Sequence, residues 1–218
     1  MTSPLIRIAG LLLLTLCFGC NSAYYTAMET LGIPKRELLS DNITKVRTAQ
    51  TEAGQEFQSA LEAFLSLTGY QGGDLEAMYE RMSDAYEDSE SKATEVRQRI
   101  RAVDNVAQAL FDEWEDELNE YENSSLRRQS ETKLKQTRRR YDELLRSMER
   151  VENAMVPVLA AFKDQVLFLK HNLNARAVSA LSTEASNIEA NVADLIKDMN
   201  ASIAEADRFL GELNAKEQ

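Results

Sequence analysis

Histidine occurs once in these 218 residues, tryptophan once, cysteine twice and proline three times. Each scarcity excludes something. With His171 alone, one chain cannot build an HExxH zinc site or the paired Glu-x-x-His sites of di-iron bundles, since both need two imidazoles. A serine or cysteine nucleophile with an imidazole base would have to be assembled around that same residue. Turn chemistry is also thin: from Asp74 to Gln218 the only glycine is Gly211 and the only proline is Pro157. Strands and hairpins depend on such residues, so the sequence points away from β structure and toward helices. A basic surplus is missing as well. The formal net charge of −11 opposes nucleic acid and anionic lipid across the surface as a whole, leaving only a local basic face to attract either. No apolar run reaches the roughly 20 residues that a membrane-spanning helix needs.

What is present begins with MTSPLIRIAGLLLLTLCFGC. Arg7, an apolar run over residues 8–16 and small residues at the close have the layout of a secretory signal. This segment resembles a bacterial lipoprotein signal, whose lipobox ends in Gly or Ala followed by Cys: Gly19 and Cys20 match. Leu16 lies one place further out than the usual Leu, and Cys17 and Phe18 stand where the pattern has Leu and a small residue. The resemblance implies that the Cys20 thiol takes a diacylglycerol, that cleavage falls between Gly19 and Cys20, and that the new amino group is acylated. An ordinary secretory cut after Gly19 is the alternative. A thiol is the strongest nucleophile available near neutral pH, and each buried acyl methylene contributes about 0.8 kcal/mol to membrane attachment. Removing residues 1–19 takes away Arg7 and no acid, so 24 basic and 36 acidic residues remain, a charge of about −12. Cys20 is then the sole cysteine, with no intramolecular disulfide open to it. Asn21 rather than Asp follows Cys20. By the sorting preference of enteric lipoproteins this implies the outer membrane, facing the periplasm of a Gram-negative bacterium.

Beyond the signal, four stretches carry apolar residues at alternating three- and four-residue steps. The first runs from Leu39 through Ile43, Val46, Phe57 and Phe64 to Leu67, with Gln50 as a polar exception. The second runs from Leu75 through Met82, Val96 and Val103 to Trp114, with Ser89 in the seam. The third extends from Leu134 through Tyr141, Met148, Phe162 and Leu169 to Leu173, interrupted by Thr137, and the last from Leu181 through Ile188, Leu195 and Ile203 to Leu213. Such spacing lays one apolar seam along each helix. Gly69 and Gln71-Gly72-Gly73-Asp74 mark the first turn, with Asp74 as N-cap of the next helix. Asn123-Ser124-Ser125 marks the second turn, with Ser124 or Ser125 as cap. Around His171-Asn172-Leu173-Asn174 the chain either turns or runs on. Pro157 is expected to kink the third helix. A second helix from Asp74 to Glu122 would be about 70 Å long.

The organisation that follows is a signal over residues 1–19, a lipidated anchor and short linker over 20–33, and an elongated helical domain over 34–218. The expected fold is all-α, an elongated antiparallel bundle or coiled coil of about four long helices. Phe111 to Asn123 holds seven acids and no base, whereas Leu126 to Tyr141 holds seven bases and one acid. A hairpin turning at Ser124 would set Asp112 to Glu122 against Arg127, Arg128, Lys133 and Lys135, fixing register as e and g positions do. Within the basic run, Arg138, Arg139 and Arg140 form the candidate interaction patch. Either they pair with acids of the last helix, such as Glu205, Asp207 and Glu212, or they dock an anionic partner. Tyr24, Tyr25, Lys35 and Arg36 either rest at the membrane interface or pack at the start of a helix.

The mature chain is similar to a family of uncharacterised bacterial lipoproteins classed as a domain of unknown function, through AYYTAMETLGIPKRELL and VLFLKHNLNARAVSAL. The resemblance implies a Gram-negative envelope protein rich in long helices and carries no functional residue with it. Acids such as Glu113 and Glu117 lie in a solvated run, not in an apolar setting that would suit acid/base catalysis. The expectation is therefore a non-enzymatic scaffold, spacer or adaptor with no cofactor or metal and no nucleic-acid partner. It would meet the membrane through Cys20 and bind an envelope protein or a second copy of itself. The alternative is a helical protein that binds or remodels membrane surfaces.

Overall fold

In the computed structural model, the described residues are 32–214 together with Tyr25 and Met28. They form five helices: α1 (Lys35–Thr68), α2 (Leu75–Glu117), α3 (Ser124–His171), α4 (Ala175–Leu181) and α5 (Ala185–Asn214). No strand occurs among the described residues. Four are long, as expected; α4 is a seven-residue addition that settles the open question around His171 in favour of a turn.

Local chemistry explains each boundary. Glu37 lies in the first turn of α1, where the helix dipole favours a negative charge. The helix stops at Gly69, whose N–H reaches the Leu65 carbonyl at 3.0 Å. Gly72 (φ 125°) and Gly73 (φ 116°) then take left-handed backbone that other residues rarely adopt. Asp74 caps α2 as expected, its carboxylate accepting from the Ala77 N–H at 3.1 Å. The cap of α3 is not Ser124 or Ser125 but Asn123, whose side-chain oxygen accepts from the N–H groups of Ser125 (2.9 Å) and Leu126 (3.1 Å). Asn reaches two orphan donors from one residue earlier, so both serines fall inside the helix. Asn174 does the same for α4, accepting from Arg176 and Ala177. α3 runs through Pro157 without a break. Both Pro157 and Asn153, whose carbonyl loses its partner there, are exposed, so water can satisfy the orphan group.

Cross-helix contacts fix the topology. Lys35 meets Glu113, and Glu52 meets Lys92, so α2 descends as α1 rises. Arg97 meets Glu152 while Trp114 meets Ser130, which makes α3 antiparallel to α2. Gln50 bonds Ser202 and Arg47 bonds Asp207, which closes α5 antiparallel onto α1. The ring order is α1, α2, α3, α5, each helix packing on its two neighbours. At about 1.5 Å per residue the 43-residue α2 is about 65 Å long, so the bundle is a rod. Its foot gathers the start of α1, the α2–α3 turn and the end of α5; its head gathers the α1–α2 turn and α4.

One continuous core fills the rod. In α1 all the apolar seam residues are buried, together with Gln50. In α2 the frame drifts: Leu75, Met78, Leu110 and Trp114 are half-buried, while Phe111 and Val106 are fully inside. In α5 Ser202 occupies an interior position and Ile203 is only half-buried, and Leu173 lies exposed in the turn after α3. Midway along the rod, Gln50 Nε2 donates to Ser202 Oγ at 3.2 Å, and Ser147 Oγ approaches the same oxygen at 3.4 Å. These three buried polar groups join α1, α3 and α5 at one level; Ser147 also donates to the Leu144 carbonyl of its own helix at 2.7 Å, whereas a sliding register would take Gln50 Nε2 and Ser202 Oγ away from each other. Gln50 Oε1 has no partner among the described residues.

Phe57 is completely buried near the centre of α1. Phe57→Ala should therefore destabilise the bundle by about 3–5 kcal/mol, read as a lower urea midpoint at unchanged slope. A loss below about 1 kcal/mol would mean that α1 does not pack along its length as described.

Candidate functional site

The basic run of α3 lies at the foot, and helix geometry splits its arginine triplet. Successive residues turn by about 100° around a helix axis, so Arg138 and Arg140 leave α3 on opposite flanks. Arg138 turns to α2, where Nη1 donates to Glu115 at 2.5 Å and the guanidinium lies over the Phe111 ring, 5.0 Å from its centroid. Arg140 turns to α5: Nε lies 3.6 Å from Glu212, and Nη1 donates to Glu143 on α3 at 3.1 Å. Glu143 first, then Glu212, raise the pKa of the Arg140 guanidinium above its ordinary value. Arg139, between them, is exposed and makes no ion pair among the described residues.

Pairing with the last helix is thus realised for Arg140 alone. Asp207 pairs with Arg47 of α1, and Glu205 with Arg208 of its own helix. Among the described residues none of Arg127, Arg128, Lys133 and Lys135 forms the expected ion pair with the acidic run; the two runs are joined instead by Glu115 with Arg138. Glu113 is held by Lys35 from α1 and Lys135 by Glu131 one turn back, while Arg127 reaches the Asn119 amide at 3.5 Å. Tyr25 is buried in the core rather than placed at a membrane interface, and Arg36 donates to the Leu213 carbonyl at the end of α5. Both therefore pack at the helix start. Tyr24, Gly19 and Cys20 lie outside the described residues.

Beneath the arginines sits an aromatic cluster that the periodic reading missed. Phe111 meets Tyr141 edge-on with centroids 5.5 Å apart, and Tyr141 meets Phe209 at 6.3 Å. Phe111 and Phe209 each stand beside, not on, the three-and-four frame, and only the crossing of α2, α3 and α5 brings them inward. Tyr141 donates its hydroxyl to Asp104 at 2.8 Å. Burial, reinforced by that bond, holds its phenol proton well above the ordinary range. Between α3 and the last turns of α5 lies an open cleft of about 400 Å³, with Lys133, Arg139 and Arg140 on its walls and Phe209 and Leu213 at its floor.

Among the described residues no group of histidines, cysteines or acids is placed to hold a metal ion, and no helix is long and apolar enough to cross a membrane. His171 sits exposed at the last position of α3. The fold and its foot therefore define an all-α bundle of long helices with a cation-lined, aromatic-floored cleft at one end. The chain belongs to the family described as Protein of unknown function (DUF2959), whose family model matches residues 24–213 and so takes in nearly the whole described bundle. No curated protein and no solved structure matches it.

Two outcomes follow from this geometry. Arg138→Ala should cost about 1 kcal/mol through loss of the ring contact and the Glu115 pair, whereas Arg139→Ala should stay within about 0.5 kcal/mol; equal losses in urea unfolding would contradict the split. Tyr141 keeps its proton longer folded than unfolded. Its contribution is therefore complete below about pH 10 and falls as pH rises above that value, where the unfolded chain ionises first. In Tyr141→Phe the unfolding free energy should decline less steeply above pH 10, and identical alkaline slopes would refute the assignment.

Proposed function

We propose that this protein is a lipoprotein anchored through Cys20 to the outer membrane and facing the periplasm, where its rod acts as a non-enzymatic spacer, scaffold or adaptor. The observation that carries this reading is where the chain enters the bundle. Tyr25 is buried in the core, the Ile33 N–H bonds the Met28 carbonyl at 3.0 Å, and Pro34 opens α1 at the foot. Cys20 precedes Tyr25 by five residues, a span of at most about 17 Å. Acyl chains on Cys20 would hold the foot at the bilayer and carry the head about 65 Å into the periplasm. The head shows Leu167, Phe168 and Leu173, with Leu167 half exposed at 51%, as a surface for an envelope partner or a second copy.

A second reading, direct binding or remodelling of the membrane surface, is favoured by two further exposed apolar side chains, Tyr121 and Leu126. Both stand at the α2–α3 turn, at the foot. Metabolic labelling with palmitate and membrane fractionation separate the two. The native protein should carry label and sediment with outer membranes, and Cys20→Ala should lose both properties. Native protein without label and free in the periplasm would overturn the anchor, and a Cys20→Ala protein that still bound membranes through Tyr121 and Leu126 would favour the second reading.

A further inference from the structure

The cleft at the foot holds more positive charge than its own acids use. Glu143 and Glu212 both engage Arg140, leaving Lys133 and Arg139 without ion pairs among the described residues. Lys133 is half-buried beside this space. Leaving a half-buried ammonium without a counter-ion is unfavourable. Arg140 is oriented from two sides and spends Nε and Nη1 on its acids, which leaves Nη2 donors unused. Two arginine forks and a lysine point charge therefore converge on one opening.

Such a set suits a compact group with several acceptor oxygens and up to two negative charges. We propose that this cleft binds a terminal phosphate group, either the phosphomonoester of a lipid headgroup or free phosphate. The floor bears on the choice of ligand: Phe209 and Leu213 are buried apolar side chains, able to take the carbon skeleton next to the phosphate. An acidic peptide fits less well, because its single charges are strung along a backbone, whereas the cations border one opening beside Glu143 and Glu212. A terminal phosphate concentrates its charge at one point between Lys133 and Arg139. The site stands independently of the Cys20 anchor, since every group that forms it lies on α3 and α5.

The test uses the full chain in a neutral detergent at fixed ionic strength, titrated calorimetrically with dihexanoyl phosphatidic acid, dihexanoyl phosphatidylcholine and inorganic phosphate. Phosphatidic acid should bind and phosphatidylcholine should not. Lys133→Gln with Arg139→Gln should weaken binding by about tenfold or more at an unchanged melting temperature. Arg128→Gln, on the same helix but outside the cleft, should bind as the native chain does. Inorganic phosphate binding as tightly as the lipid would identify free phosphate as the source; binding of the lipid alone would identify the headgroup. The proposal fails if neither ligand binds, if the double variant binds normally, if Arg128→Gln loses as much, or if an acidic peptide binds while phosphatidic acid does not.

Discussion

Four helices of 30 to 48 residues, each with an apolar stripe along one side, can hide those stripes only by meeting one another along their full length. No such stripe is stable in water alone, because a single helix leaves it exposed and tertiary packing supplies most helical stability. This mutual burial sets the antiparallel register, and the rest of the molecule inherits that register. It decides that Gln50, Ser147 and Ser202 share one level, that Phe111, Tyr141 and Phe209 meet at the foot, and that Lys133 and Arg140 border one cleft.

Charge follows this packing and does not direct it. The acidic end of α2 and the basic start of α3 are neighbours, yet their ion pair is Glu115 with Arg138, and other members pair within a helix or with α1. These side chains are largely solvated, and exposed pairs contribute about 0.2–1 kcal/mol each. Burial of Phe111 or Phe209 is worth more, so the apolar register wins and the charges take whichever partner falls within reach. Arg127, Arg128, Lys133 and Arg139 of the run hold no ion pair among the described residues, and Lys133 and Arg139 are the two of these that border the cleft.

The helical seams were legible because they need only the local 3.6-residue period and the residues that stop it. Asp74 as a cap and Gly69 as a stop could be read for the same reason: their partners lie within four residues. The misses share a different cause. Ser124 and Ser125 lost the capping role to Asn123 by a difference of one residue, which composition does not resolve. Phe111, Phe209 and Ser202 lie beside the periodic frame, and a helix wrapped between two neighbours buries its flanks as well as its centre line. The arginine triplet reads as one patch in a string of letters, whereas about 100° of rotation per residue sends its members to α2, to solvent and to α5. The cleft left no local signal, since its walls come from two helices far apart in the chain.

By itself the sequence determined an all-α chain with four long amphipathic segments and glycine- or asparagine-marked ends, and it carried a lipoprotein-like start at Gly19 and Cys20. These follow from interactions between residues a few positions apart, which any stretch of chain displays before it meets another. Tertiary structure alone decided the ring order of the helices, the gathering of the chain's entry and its basic run at one end, and which member of the triplet Arg138, Arg139 and Arg140 holds no ion pair among the described residues. Those outcomes depend on how whole helix faces fit together over tens of ångströms, and no short stretch of residues encodes that fit.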